Sequence, residues 1–167
     1  MPPNQRNRFE TDKFTLCKLD KEDDFCCDEV RCFDCGDKDL NEFFREDALK
    51  YKKALLSETY YFQPREATEK DLLIPVAFIS FLNDSVQITR EERKTGKKGL
   101  WKYLKQAIPH PKRNYTSFPA VKIVRLAVCT SQQRKDFGTS LLNMTKSLFL
   151  TDNRTGCRFL TVDAYNT

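Results

Sequence analysis

Histidine and glycine are both scarce in this sequence, with one and five residues among 167. The lone histidine, His110, stands between two prolines in a loop-like stretch, and no G-x-S-x-G elbow is present. A Ser-His-Asp hydrolase therefore lacks both its base and the turn that would expose its nucleophile. A metal hydrolase lacks its histidines altogether. So few glycines also argue against a phosphate loop of the usual glycine-rich kind, although Gly138 falls where a polar turn gives way to a helix-like pattern. Long apolar runs are missing as well. No stretch approaches the roughly 18 apolar residues of a membrane helix, and "MPPNQRNRFETDKF" has no apolar core of a secretory leader. A soluble, cytoplasmic protein with no membrane partner is expected.

What is present is globular. Hydrophobic residues make up 40% and charged residues 32%, with thirteen Phe, so a single domain over residues 1–167 has the material for one core. Seven cysteines are unevenly placed, and "CCDEVRCFDC" contains a C-x-x-C at Cys32 and Cys35. A closed zinc site takes four ligands, typically as two separated pairs. Cys26 and Cys27 are adjacent and no second C-x-x-C follows, so reduced thiols and no metal are expected. Charge is polarised along the chain. From Asp20 to Asp47 twelve acidic residues face four basic ones, while from Arg90 to Asn114 nine basic face two acidic. One face that attracts anions and another that repels them follows from such a split, unless the basic stretch is merely a solvated loop.

The periodicities outline an α/β order. "FTLCKL" (Phe14 to Leu19) alternates as a first strand. In "FDCGDKDLNEFFREDALKYKKALLS" Asp39 and Glu42 form a capping-box-like start, with Asp37 as the alternative cap. Leu40, Phe43, Phe44, Ala48, Tyr51 and Leu55 then recur at helical spacing. "TYYFQ" and "IPVAFISFL" read as paired antiparallel strands, and "NDSVQIT" as a turn at Asn83-Asp84 followed by a continuing strand. The run "AVKIVRLAVC" (Ala120 to Cys129) is too continuously apolar for a sheet edge, so it belongs centrally. A turn, a helix and a last strand over Cys157 to Tyr165 follow. Strand, helix and strand in that order require a crossover, which favours parallel pairing.

The unit "VRLAVCTSQQRKDFGTSLL" thus combines a central strand, a turn and a helix whose first amides are unpaired and whose dipole is positive there. In these residues the segment resembles the acetyl-CoA-binding motif of the GNAT superfamily of N-acetyltransferases, a strand ending near "LAV" and then Q/R-x-x-G-x-G/A opening a helix. Gln133, Arg134, Lys135, Asp136, Phe137 and Gly138 occupy those six positions. "FDCGDKDLNEFF", "FLNDSVQI" and "FLTVDAYN" resemble further signatures of one branch of the family, whose members include toxins that acetylate charged tRNA. The resemblance implies a mixed, twisted central sheet flanked by helices, lacking the family's C-terminal elements.

Acetyl-CoA is the implied co-substrate, entering where the two parallel strands splay apart. Backbone groups of Leu126, Ala127 and Val128 would bond the pantetheine arm, amides from Arg134 to Thr139 would cradle the pyrophosphate, and Asn166 would contact the cofactor beyond the last strand. The implied reaction is direct attack of an acceptor amine on the thioester, and the acceptor could be an aminoacyl-tRNA. Two departures stand out. Asp136 replaces the first glycine of the motif, placing a carboxylate near the pyrophosphate. The sequence also stops at "DAYNT", where family members continue with a helix carrying a tyrosine that protonates the leaving thiolate, so truncation is expected. No catalytic acid or base is readable: Glu58, on a strand, and water alone are both open. The alternative function is a catalytically weak relative that binds tRNA through residues 90–114. There Lys94, Lys97, Lys98, Lys102 and Lys105, interleaved with Trp101 and Tyr103, could meet phosphates and stack on a base. Equally, those two aromatics could anchor the loop to the core. A homodimer is also allowed.

Overall fold

A computed structural model describes residues 9–10, 14–20, 32–65, 74–89, 91, 103, 106, 116–135, 137–151 and 156–163. Among the described residues six strands form one sheet in the order of the chain: β1 (Phe9–Glu10), β2 (Phe14–Lys18), β3 (Glu58–Pro64), β4 (Ala77–Gln87), β5 (Ser117–Val128) and β6 (Phe159–Val162). Every neighbouring pair is antiparallel except the last. β5 and β6 run parallel, with Ala120 opposite Phe159 and Ile123 opposite Val162, and helix α2 (Phe137–Thr151) makes the crossover between them. The expected parallel partner of the Ala120 to Cys129 run is found, but the strand stands second from the end of the sheet rather than at its centre, and β6 pairs it only as far as Ile123.

The sheet is covered on both faces, and the alternation of side chains along each strand decides what lies where. One face carries Phe78, which stacks on Phe44 with ring centroids 4.4 Å apart, and Phe33 meets the same ring edge-on at 5.5 Å. This is the face of helix α1 (Lys38–Lys53). The opposite face carries Phe14, Phe62 and Phe81, and α2 packs there through Phe137 (4.8 Å from Phe14) and Phe149 (5.3 Å from Phe81). Phe78, Phe33 and Phe44 are almost wholly buried. Burial of each such ring stabilises the fold by about 1.5–3 kcal/mol.

α1 is a composite. It runs as an α-helix over Lys38–Glu42, widens to a π-helix over Phe43–Asp47 and returns to α-geometry over Ala48–Lys53. Its cap is Asp37, whose Oδ1 accepts the Leu40 N–H at 3.0 Å; Asp39 lies in the first turn instead. The apolar face is also narrower than the spacing predicts. Tyr51 is 41% exposed and Leu55 is 91% exposed. The physical reason is the way the helix ends: the Leu56 N–H reaches the Tyr51 carbonyl and the Leu55 N–H the Lys52 carbonyl, both at 2.9 Å. This is the Schellman arrangement, and it places Leu55 at φ 58° in the left-handed region, pointing away from the core.

The turn expected at Asn83-Asp84 is absent. β4 continues through both residues, with Asn83 opposite Val121 and Asp84 opposite Ala120. Local turn preference gives way to an eleven-residue strand held against a longer partner. The irregularity lies elsewhere: between Ser80 and Phe81 the register slips, because Val124 of β5 has no residue opposite it. This is a β-bulge, which bends the strand and leaves one residue unpaired.

Candidate functional site

The parallel pair is shorter than its longer strand. β6 is paired to β5 only as far as Val162 opposite Ile123, so Val124 to Val128 continue with no strand beside them among the described residues. Which backbone groups face this open edge follows from the pairing on the other side. The Cys129 N–H donates to the Val76 carbonyl at 2.8 Å, and antiparallel pairs alternate between bonded and unbonded. Ala127, opposite Phe78, therefore spends its N–H and C=O on β4. Leu126 turns both of its groups to the open edge, and Val128 its N–H, while the Val128 carbonyl accepts from Gln133 Nε2 at 2.9 Å. Of the three residues expected to bond a pantetheine arm, Leu126 faces the open edge with both backbone groups, Val128 with its N–H, and Ala127 faces β4.

Past Val128 the chain makes a short 3₁₀ turn, Thr130–Gln132, and a polar loop before α2. Gln133, the first position of the motif, staples this loop. Its amide nitrogen donates to the carbonyls of Cys35 at 2.8 Å and Val128 at 2.9 Å. Thr130 N–H adds a bond of 2.9 Å to the Asp34 carbonyl. The segment before α1 is thereby joined to the end of β5. That segment is itself ordered by side chains: Asp34 Oδ1 accepts from Gly36 N–H and from Asn41 Nδ2, both at 2.8 Å, while Asn41 Oδ1 accepts from Cys35 N–H at 3.0 Å. These donors hold the Asp34 carboxyl below its ordinary value, the Gly36 N–H foremost. Burial pushes the Cys35 thiol up, and its Sγ lies 3.1 Å from Asn41 Oδ1. Cys32 is exposed, and Cys26 and Cys27 lie outside the described residues.

Arg134 takes φ 59°, a left-handed turn that costs an ordinary residue roughly 1–2 kcal/mol. Arg134 and Lys135 are exposed at the rim. Phe137 opens the helix and anchors it, its ring held between Phe14 and Phe62. Gly138, the second helical residue, is bare: a Cβ built there meets nothing within 4 Å among the described residues. The fold's own packing thus gives no reason for glycine, and its φ is unremarkable. The space lies at the first turn of a fifteen-residue helix, where amides are unpaired and the dipole is positive. Asp136 and Asn166 lie outside the described residues, as do Trp101, His110 and the lysines named between 94 and 105. Tyr103 is described and is 61% exposed.

Two features escaped the sequence patterns. Arg125, beside the bulge, lies over the Phe43 ring with its guanidinium carbon 4.6 Å from the centroid, on the face opposite α2. Asp39 Oδ2 lies 3.9 Å from its Nη2, and its buried Nε has no hydrogen-bond partner among the described residues. A charged residue inside the apolar run Ile123 to Val128 was the available signal. The second is a cavity of about 610 Å³ on the α2 face, at the end of the sheet where β3 begins, with Glu58 in its wall.

No known protein family matches the sequence, and no curated protein does. Solved structures do match. "Crystal structure of AtaTR bound with AcCoA" covers 94% of this chain and 80% of its own, with 19% identity and a TM-score of 0.67. "AtaT complexed with acetyl-methionyl-tRNAfMet" covers 92% and 79%, with 18% identity and a TM-score of 0.65. A crystal structure of a tyrosine-to-phenylalanine mutant of KacT covers 92% and 79%, with 19% identity and a TM-score of 0.65. At such identities the likeness is one of fold. With helices on both faces of the sheet, the parallel final pair and its open edge running into a helix N-terminus, this chain has the fold of the GNAT-type acetyltransferases.

Proposed function

We propose that the protein is an N-acetyltransferase that uses acetyl-CoA to acetylate a primary amine, with an aminoacyl-tRNA as the acceptor. The observation that carries this is the continuity of the open β5 edge with an unencumbered helix start. Leu126 offers its N–H and C=O, and Val128 its N–H, to an extended amide-bearing arm, as an added strand would take them. Amides of residues 134–139 then meet the diphosphate at the positive end of α2, with the bare Gly138 allowing the backbone close to it. Gln133 acts as a positioning residue, fixing the loop to both Val128 and Cys35.

The chemistry asked of the chain is modest. The acceptor nitrogen attacks the thioester carbonyl, loses a proton as the amide forms, and the C–S bond breaks to give a thiolate that takes up a proton. Holding the two reactants in line supplies much of the rate, because a bimolecular step becomes effectively unimolecular. Asp136 sets the affinity. A like charge at about 4 Å costs ~1 kcal/mol in water and about 4 at an effective dielectric of 20, and Arg134 and Lys135 offset part of it. The acceptor class is supported by the acetyl-methionyl-tRNA seen with AtaT and by the nine basic residues between Arg90 and Asn114. Calorimetry with acetyl-CoA, followed by transfer of a labelled acetyl group to charged tRNA, tests the reading. No binding at millimolar acetyl-CoA would overturn it.

A further inference from the structure

We propose that Cys32 and Cys35 are a redox switch on cofactor binding: a peroxide joins them in a disulfide, and closing it removes the carbonyl on which Gln133 holds the loop before α2. The switch takes its ligand from the acetyltransferase reading and adds a control on it.

The two cysteines form the C-x-x-C of the acidic segment and are unequally placed. Cys32 is exposed, whereas Cys35 is half-buried and its thiol is pushed up by burial, which lowers its share of the nucleophilic thiolate. A peroxide therefore reacts at Cys32. The Cys32 sulfur takes one oxygen of hydrogen peroxide, the O–O bond breaks and water leaves, giving a sulfenic acid. The Cys35 sulfur then attacks that sulfur, the S–O bond breaks and a second water leaves as the disulfide forms. Two thiols are oxidised and one peroxide is reduced to two waters, so the electrons balance.

The loop as folded opposes this bond. A disulfide usually needs Cα atoms about 4.4–6.8 Å apart, which for residues three apart in sequence means a tight turn. No turn is present over residues 33–35. The Cys35 N–H, which would close such a turn on the Cys32 carbonyl, goes instead to Asn41 Oδ1 at 3.0 Å. The Cys35 thiol points the same way, 3.1 Å from Asn41 Oδ1 and 3.7 Å from the Asp37 carbonyl. Between the cysteines Phe33 is pinned, its ring buried against Phe44 and Phe78 and its carbonyl bonded to the Arg45 guanidinium. The turn can therefore close only if Cys35 swings away from Asn41, and its carbonyl goes with it. Gln133 then loses one of its two acceptors, and the Thr130 bond to the neighbouring Asp34 carbonyl is pulled out of line. The loop is held for the cofactor only while both thiols are reduced, so acetyl-CoA and the disulfide oppose each other reciprocally.

The test oxidises the full chain with hydrogen peroxide, maps its disulfides by mass spectrometry and measures acetyl-CoA affinity by calorimetry before and after. A Cys32–Cys35 disulfide should form, and the Kd should rise by about tenfold, within the roughly 5- to 150-fold usual for coupled sites. Dithiothreitol should restore it. In a glutathione redox buffer, saturating acetyl-CoA should shift the ratio of dithiol to disulfide toward the dithiol by the same factor. Without any ligand, amide hydrogen exchange at Thr130 should quicken in the oxidised form. Cys32→Ser, at an exposed position, should bind acetyl-CoA as the reduced wild type does and keep that affinity in peroxide. Pairing of Cys32 with a cysteine other than Cys35, unchanged exchange at Thr130, unchanged affinity after oxidation, or equal loss of affinity in Cys32→Ser would overturn the switch. Failure of the reduced wild type to bind acetyl-CoA would instead overturn the acetyltransferase reading, while disulfide mapping and hydrogen exchange still decide whether the loop is redox-sensitive.

Discussion

Replacing Gly138 with alanine should make the protein more stable and a poorer ligand for acetyl-CoA, and that opposition of signs separates a ligand site from a chance glycine. The added Cβ meets no atom of the described residues within 4 Å, so it introduces no clash with them in the free protein. Glycine inside a helix is less favourable than alanine by about 0.5–1 kcal/mol, and Gly138 sits in the first turn, where the lower figure applies. The expected gain of ~0.5 kcal/mol corresponds to about 1–2 °C in Tm for a chain of this size. In the complex the methyl group would occupy the space a diphosphate needs to reach the first-turn amides. Loss of one hydrogen bond to a charged oxygen costs about 1.5–3 kcal/mol, or roughly 10- to 100-fold in Kd. Denaturant melts and calorimetry on the same preparation read both effects. A variant that is stabilised yet binds acetyl-CoA as tightly as the wild type would refute the argument that this space is kept for the ligand.

Four further outcomes follow from the same geometry. Leu55→Gly should raise stability by about 0.5–1 kcal/mol in a urea melt, because it relieves the left-handed strain at an exposed position, whereas Leu55→Ala, which keeps the strain, should not. Gln133→Ala removes both staples of the loop and should lower Tm by a few degrees, a loss of about 1–2 kcal/mol, and weaken acetyl-CoA as well; a change in neither would deny the loop its positioning role. Asp34 has a folded pKa below its ordinary 3.8, so its contribution is complete above that pH and is lost as pH falls through the folded value; Asp34→Asn should flatten the acid limb of a stability-against-pH curve, and an unchanged limb would contradict this. Asp136→Gly removes a like charge and should tighten acetyl-CoA binding, most visibly at low salt, where screening is weakest.

The fold was legible where side-chain period and burial agree. The apolar run from Ala120 to Cys129 read as a buried strand, and the turn and helix after it forced a parallel return, as β5, α2 and β6 show, although β6 covers only its first half. Reading failed where neighbours distant in sequence decide. Asn83 and Asp84 carry turn chemistry, yet Val121 and Ala120 hold them in a strand. Leu55 fits the helical spacing, yet the helix stops at Lys53. At the site the motif positions were visible, but their division of labour was not. Gln133 bonds a carbonyl 98 residues away, which no local pattern announces. Ala127 shares a motif with Leu126 and Val128, and only the strand's pairing phase shows that its backbone faces the other way.

The π-helical segment of α1 makes this helix count differently from its neighbours. An α-helix advances by about 100° per residue, and a single π turn acts as one residue inserted and absorbed without breaking the rod. The two halves of α1 therefore reach their partners only because of that surplus: Asn41 serves the loop joined to β5, while Lys52, on the far side of the π turn, serves Asp20 and Glu58. Deleting any one residue between Phe43 and Asp47 would give a straighter, more regular helix and a worse protein. The regular version would swing one half through about a quarter-turn relative to the other, so it could keep the Asn41 contacts or the Lys52 contacts, but not both. The irregularity is a length adjustment that puts two stations, more than two turns apart, on the same timetable.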